Sequence, residues 1–502
     1  MGRGRRMIGR ALWSRAMVVL LGGLVVTGCA SAVAIRVPQA GPDTACVTPA
    51  PAQEVLVGVA LSGGGSRAAL FGAAGLEALA RLSAPGGGSV LERVSYLSSV
   101  SGGSVAGAYF ASRKPPRETP VLTPDGQLTP AYAVFFAESQ QQLSQDFEGA
   151  LLRRQLLSFR WLNSSLAARS LAEVMADRLL GQTTFVDLAQ REARGDSPQL
   201  IINTTLYNSG RRLVFTTLPP EASRYDFYAD LRASMTRRGV TTAFPPAFLR
   251  RWEKLLSITP WELGIDPCPI RLAGVVAGSA SFPPLVGPIT FRVGEEEVYW
   301  HTGDGGLYEN QGIESLLFVF LKQLQERTAR RALIIAIDSS FPFDVGERRL
   351  SRRAQPFSLW NYDYTRIPSI MEQRASTYQA LFFRSLQLEG VFPDDQTMRI
   401  VFLRHADAVW KDDLSDLPAA CRQETPPLES PTAVAERLAE ISTRFWLASA
   451  CERQLLAAAA AKVVAQHQDE MLTFLAGETA GGAVRPAWTA TQRSRDGPQE
   501  SD

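Results

Sequence analysis

The sequence predicts an α/β fold with a central, mostly parallel sheet. Apolar runs of strand length occur at Val55–Ser62, Val94–Ser98, Ala332–Asp338 and Met398–Leu403. The first two each enter a turn of small residues and then a helical pattern; strand, helix, strand, helix is one parallel unit with a right-handed crossover. At 502 residues the chain can bury a sizeable core, as one large domain with insertions or as two to three smaller ones.

The chain opens with an address. Arg3, Arg5, Arg6, Arg10 and Arg15 precede an apolar run from Met17 to Val26 that ends in V-T-G-C at Cys29. Residues 1–28 therefore read as a signal peptide, and this one resembles the bacterial lipoprotein type, which is cleaved before the cysteine. The resemblance implies a lipidated Cys29 and a cell-envelope protein held by its acyl chains. Ala30 follows in place of the aspartate that marks inner-membrane retention, which directs the expectation to the outer membrane, facing the periplasm. Residues 29–53, rich in Ala, Pro and Thr without periodicity, read as a tether. The folded domain is expected at 54–484, with insertions at about 114–195 and 218–268, and a disordered tail at 485–502.

With 52 basic and 50 acidic residues the net charge is +2, which gives no reason to expect nucleic acid as a partner. Besides Cys29 there are Cys46, Cys268, Cys421 and Cys451. Disulfides are permitted in an exported chain. Spacing allows three connectivities; the preferred one joins Cys421 to Cys451 around one helical segment and Cys46 to Cys268, pinning the N-terminal arm. Without paired C-x-x-C spacing no metal site is expected.

The Val55 strand closes on Gly63, Gly64, Gly65, Ser66 and Arg67, and helical spacing follows from Ala68 to Leu82. Three glycines let backbone approach a ligand, and the N–H groups at a helix start point outward, an arrangement suited to an oxyanion. Neither G-x-x-x-x-G-K-[ST] nor G-x-G-x-x-G spacing is present, which argues against a nucleotide phosphate. The Val94 strand leads into S-V-S-G-G centred on Ser101, a strand-turn-helix that lifts its serine clear of the sheet. Ser99 stands where the nucleophile pattern G-x-S-x-G has its first glycine.

Residues 130–195 read as helices, with leucines, phenylalanines and Trp161 among Arg153, Arg154 and Arg160, a cap whose apolar stripes pack inward or meet a lipid surface. Leu200 to Thr217 is a hairpin about Asn208-Ser209-Gly210. Ala273 to Phe282 is a helix of small residues, and Glu297 to His301 a strand that delivers Asp304 before Gly305-Gly306. Phe341 to Arg366 reads as a long loop rich in arginine and aromatics, Met371 to Gln387 as a helix, and Val434 to Leu475 as helical.

Strand then G-G-G-S-R, strand then S-V-S-G-G, and strand then D-G-G, in that order, resemble the bacterial patatin-like phospholipases of the patatin and cytosolic phospholipase superfamily. The resemblance is carried by residues 55–110 and 273–312. It implies a three-layer α/β/α sandwich, and a lipid acyl hydrolase without cofactor, acting on phospholipid or lysophospholipid. It makes Ser101 the nucleophile and Asp304 its partner in a dyad, with Gly64 and Gly65 as oxyanion donors, Gly63 shaping their loop, and Arg67 at the substrate phosphate. Three rival readings stay open: an acyltransferase on the same dyad, a Ser-Asp-His triad using His405, which follows the last strand, and a non-catalytic envelope lipoprotein that binds a partner.

Overall fold

A computed structural model describes the chain from residue 34 to residue 477, apart from short breaks and the longer stretches 240–252, 341–369 and 383–395. The signal peptide, Cys29, the loop expected at Phe341–Arg366, much of the helix expected at Met371–Gln387 and the tail lie outside the described residues.

Among the described residues nine strands form one sheet: β1 (Ala34–Val37), β2 (Val55–Leu61), β3 (Tyr96–Val100), β4 (Gln199–Leu206), β5 (Arg211–Thr216), β6 (Ile289–Val293), β7 (Val298–Asp304), β8 (Arg331–Asp338) and β9 (Thr397–Arg404). Their hydrogen-bonded order is β1-β6-β7-β4-β3-β2-β8-β9, with β5 on β4. From β4 through β3, β2 and β8 to β9 every pairing is parallel, whereas β5 and β7 are antiparallel to β4. The helices are α1 (Gly65–Ala80), α2 (Gly102–Arg113), α3 (Pro130–Leu143), α4 (Phe147–Leu157), α5 (Ser164–Met175), α6 (Phe185–Arg194), α7 (Phe227–Arg237), α8 (Leu272–Ser279), α9 (Ile313–Gln325), α10 (Pro431–Glu440) and α11 (Ala450–Ala476). Among the described residues no helix is long and apolar enough to cross a membrane.

The three layers follow from the two-residue period of β2. Val57, Val59 and Leu61 enter one core with Phe71 of α1, Val105 of α2 and Leu455 of α11. Leu56 and Ala60 point the other way, into a second core with Leu316 and Phe320 of α9. A strand buried on both faces reads as a continuous apolar run, which is why β2 and β8 were visible in the sequence.

Two expectations are corrected. The tether is not wholly outside the fold: β1 pairs in parallel with β6, Cys46 forms a disulfide with Cys268, and Thr48 is buried. Four residues, A-I-R-V, are too few to show a period. The C-terminal helical stretch is two helices, since Ser430 caps α10 and Ser449 caps α11, and residues 441–449 between them are irregular, with a bend at Arg444–Phe445. Both expected disulfides are present, with Cα separations of 5.4 Å for Cys46–Cys268 and 4.6 Å for Cys421–Cys451.

Candidate active site

One strand brings the two central residues together. Residues 201–203 of β4 pair with both β3 and β5, and residues 204–206 with both β5 and β7. Since β5 occupies one edge throughout, β3 and β7 share the other edge and meet end to end. Val100 pairs with Asn203 and Asp304 with Thr204, adjacent residues of β4. The end of β3, which carries Ser101, therefore faces the end of β7, which carries Asp304.

Ser101 has φ 51° and ψ −120°, a conformation that a non-glycine residue holds only when its surroundings impose it. Its N–H donates to Ser279 Oγ at 2.9 Å, and that hydroxyl donates to the Asn203 carbonyl at 2.6 Å. A Cβ at Gly103 would lie 2.5 Å from the carbonyl oxygens of Leu61 and Ser62, and one at Gly102 would strike the Gly65 backbone, so both neighbours must be glycine. Ser99 is accommodated because Gly107 faces it across the turn; a Cβ there would stand 3.2 Å from Ser99 Cβ.

Ser101 Oγ donates to Asp304 Oδ2 at 2.7 Å. The other carboxylate oxygen, Oδ1, accepts the Gly306 N–H at 2.7 Å, and the Asp304 carbonyl accepts the Thr205 hydroxyl at 2.8 Å. Asp304 is buried, and desolvation pushes its carboxyl up to about 7 against the opposing hydrogen bonds from Ser101 and Gly306. A carboxylate so placed is half ionised near neutrality and is already bonded to the hydroxyl proton.

The glycine turn lies against the serine: a Cβ on Gly63 would come within 3.1 Å of Ser101 Cβ. Gly63 N–H donates to the Asn310 carbonyl at 2.8 Å, so Gly63 shapes the turn and its amide is spoken for. Gly64 and Gly65, the two glycines expected to donate while Gly63 shapes their loop, have φ values of 140° and 59° that only glycine adopts readily. The stretch between α10 and α11 crosses the turn. Arg444 gives its carbonyl to the Ser66 N–H at 2.7 Å, and its guanidinium is paired with Glu148 of α4 through bonds of 2.5 and 3.1 Å.

Arg67 does not have the position expected of a phosphate ligand. Its side chain is fully buried, with Nε donating to Ser339 Oγ at 3.2 Å and Nη1 to the Ile441 carbonyl at 2.7 Å. Committed to these acceptors, it holds the crossing stretch to the end of β8. His405 lies in the same corner, its Nδ1 3.5 Å from the Asp338 carbonyl and its ring edge-on to Phe71. It touches neither Ser101 nor Asp304. His301 shares a hydrogen bond with Thr290 on the neighbouring strand, and His467 sits beside Glu470 on α11.

Sequence reading missed Ser279, Asn203 and Asn310. The small-residue pattern of α8 signalled close packing, yet nothing marked its one serine, Ser279, as the acceptor for the Ser101 amide.

A family model described as patatin-like phospholipase matches residues 59–317. No curated protein matches the chain. Among solved structures, human GIVD cytosolic phospholipase A2 is similar at 12% identity and a TM-score of 0.43, over 84% of this chain and 60% of that one. VipD from Legionella pneumophila is similar at 11% identity and a TM-score of 0.23, over 86% and 78%. The chain thus spans about three fifths of the human enzyme's length. The family match covers both the Ser101 elbow and Asp304, and this chain belongs to the patatin-like phospholipase family.

Proposed function

We propose that the chain is a serine lipid acyl hydrolase working through a Ser101–Asp304 dyad. The observation that supports this reading most directly is the 2.7 Å hydrogen bond from Ser101 Oγ to a buried carboxylate. As Oγ attacks the ester carbonyl carbon, its proton passes to Asp304 and the carbonyl oxygen gains charge. The Gly64 and Gly65 N–H groups, at the start of α1, are the donors for that oxyanion, worth on the order of 3 kcal/mol for one donor. Collapse breaks the ester C–O bond, and Asp304 returns the proton to the leaving alkoxide. Water then repeats the sequence on the acyl-enzyme, releasing a fatty acid and restoring the Ser101 hydroxyl. The substrates of this reading are phospholipid or lysophospholipid, presented at a membrane. The Cys29 anchor and an outer-membrane, periplasm-facing location belong to the same proposal; Cys29→Ala should abolish incorporation of labelled fatty acid into the protein in cells.

The test of the chemistry is labelling by a fluorophosphonate probe, with fatty-acid release from mixed phospholipid micelles measured alongside. Wild-type protein should label and hydrolyse, and Ser101→Ala should do neither. Folded wild-type protein that takes no label would sink the reading.

A further inference from the structure

We propose that the outer face of α4 is a docking surface for an anionic lipid bilayer. The helix buries Phe147, Ala150 and Leu151, yet turns Leu152, Leu156 and Leu157 outward, at 53%, 64% and 84% exposure. With Arg153, also exposed, these occupy positions i, i+1, i+4 and i+5, one continuous patch on a helix. An apolar patch of this kind on a cap helix calls for an occupant.

Charge selects it. Of the carboxylates around α4, Asp146 caps the helix through the Gly149 N–H, Glu148 is paired with Arg444, Asp177 with Arg154, and Glu173 with Arg154 and Arg160. Arg153 has no carboxylate partner among the described residues. A cation flanked by leucines suits an anionic headgroup layer, with the side-chain stem lying along apolar surface and its head in the polar zone. A second copy of the chain is a poor fit, because three leucines and an arginine offer well under the ~800 Å2 per partner that a stable dimer buries.

Position gives the contact its use, and this step rests on the proposed lipid substrate. Glu148, in the first turn of α4, holds Arg444, whose carbonyl sits on the Ser66 N–H beside the glycine turn. Leu152 follows four residues on and Leu156 and Leu157 eight and nine, about 6 Å and 12–14 Å along the axis. A bilayer gripping this patch would lie on the helix whose first turn is tied, through Arg444, to the glycine turn beside Ser101.

The experiment uses residues 30–502, which carry neither the basic, apolar signal segment nor the Cys29 acyl site, in flotation with vesicles of phosphatidylcholine alone or mixed with phosphatidylglycerol. The protein should float with the mixed vesicles and less with phosphatidylcholine. The double variant Leu156→Glu/Leu157→Glu should bind roughly tenfold or more weakly, and Arg153→Gln about fivefold more weakly on the mixed vesicles only. Leu157→Trp should show blue-shifted fluorescence quenched by brominated lipid, a readout independent of whether the charged variant folds. Unchanged binding in the glutamate variant, or a tryptophan that stays in water, overturns the proposal. So does a dimer in solution abolished by the same substitutions, which would assign the patch to a second copy. Fluorophosphonate labelling in the absence of vesicles separates the two readings: it should survive in all these variants, and its absence from the wild type would strike the hydrolase reading while leaving vesicle binding to judge the surface.

Discussion

Two buried ionisable groups stand at strand ends of the sheet, Asp304 as the last residue of β7 and His405 just beyond β9, and burial acts on them in opposite senses. Asp304 is pushed up to about 7, and both its oxygens accept hydrogen bonds. His405 is pushed down to about 3 by desolvation, with the nearby Arg67 charge adding to the effect, and its Nε2 finds no partner among the described residues. The first is poised to exchange a proton near neutrality; the second is held neutral across that range. Distance separates them as well. From β3 to β9 is three strand spacings, about 14 Å at ~4.8 Å each, whereas β3 and β7 meet end to end. Chain order Ser, Asp, His is compatible with a triad, but the sheet order sets the histidine apart from the serine.

That contrast can be tested, beginning with its largest consequence. Asp304→Asn keeps the side-chain shape and removes the proton acceptor; fatty-acid release should fall by about 10²–10⁴, while Ser101→Ala should leave no detectable labelling. Equal activity in Asp304→Asn would end the dyad account.

The same substitution should stabilise the protein. An aspartate whose folded pKa lies above its unfolded value loses stability as pH rises from the unfolded pKa through the folded one, because the unfolded chain releases the proton first. The window is roughly pH 4 to 7. Above it, Asp304→Asn should raise the free energy of unfolding by on the order of 3 kcal/mol, read by urea titration at pH 8 against pH 4, where the gain should vanish. Buried Glu192, pushed up to about 8, contributes in the same direction and is unaffected by the substitution.

Arg67→Ala should destabilise by about 2–3 kcal/mol, since it strips the Ser339 hydroxyl and the Ile441 carbonyl of a buried donor. A phosphate ligand would show instead a raised KM for phospholipid with stability unchanged and no effect on a neutral ester. Stability curves and KM for both substrates distinguish the two.

The smallest effect is expected at His405. His405→Phe should leave fatty-acid release within about threefold and should not move the pH–rate profile, which should rise through about pH 7 as Asp304 ionises. Its mark should appear in acid: a histidine with a lowered folded pKa loses stability as pH falls below about 6.5, and the variant should lack that component. A profile that shifts in His405→Phe would restore the triad.

How much of this was legible depended on whether the signal was local. The glycine turn, the Ser101 elbow and the D-G-G after β7 each concentrate small residues within a few positions, because backbone must pass close to backbone there. The parallel strands were visible because burial on both faces leaves an unbroken apolar run. β1 and β6 were not: β1 is a four-residue edge strand, and β6 is a five-residue strand between β1 and β7 whose apolar run is broken by Thr290 and Arg292. The small-residue pattern of α8 could announce close packing, but a serine accepting one amide from another element leaves no periodic trace, so Ser279 was invisible.

The sequence by itself determined the α/β class and the order of the three motifs, since these rest on local sterics and on two- and three-to-four-residue periods. It could not determine that β3 and β7 share one edge of β4, because register between strands some two hundred residues apart is set by pairing in three dimensions. That pairing puts Asp304 on Ser101. The same packing buries Arg67 and His405 at the end of β8, where they bond to Ser339, Ile441 and Asp338 rather than to Ser101 or Asp304.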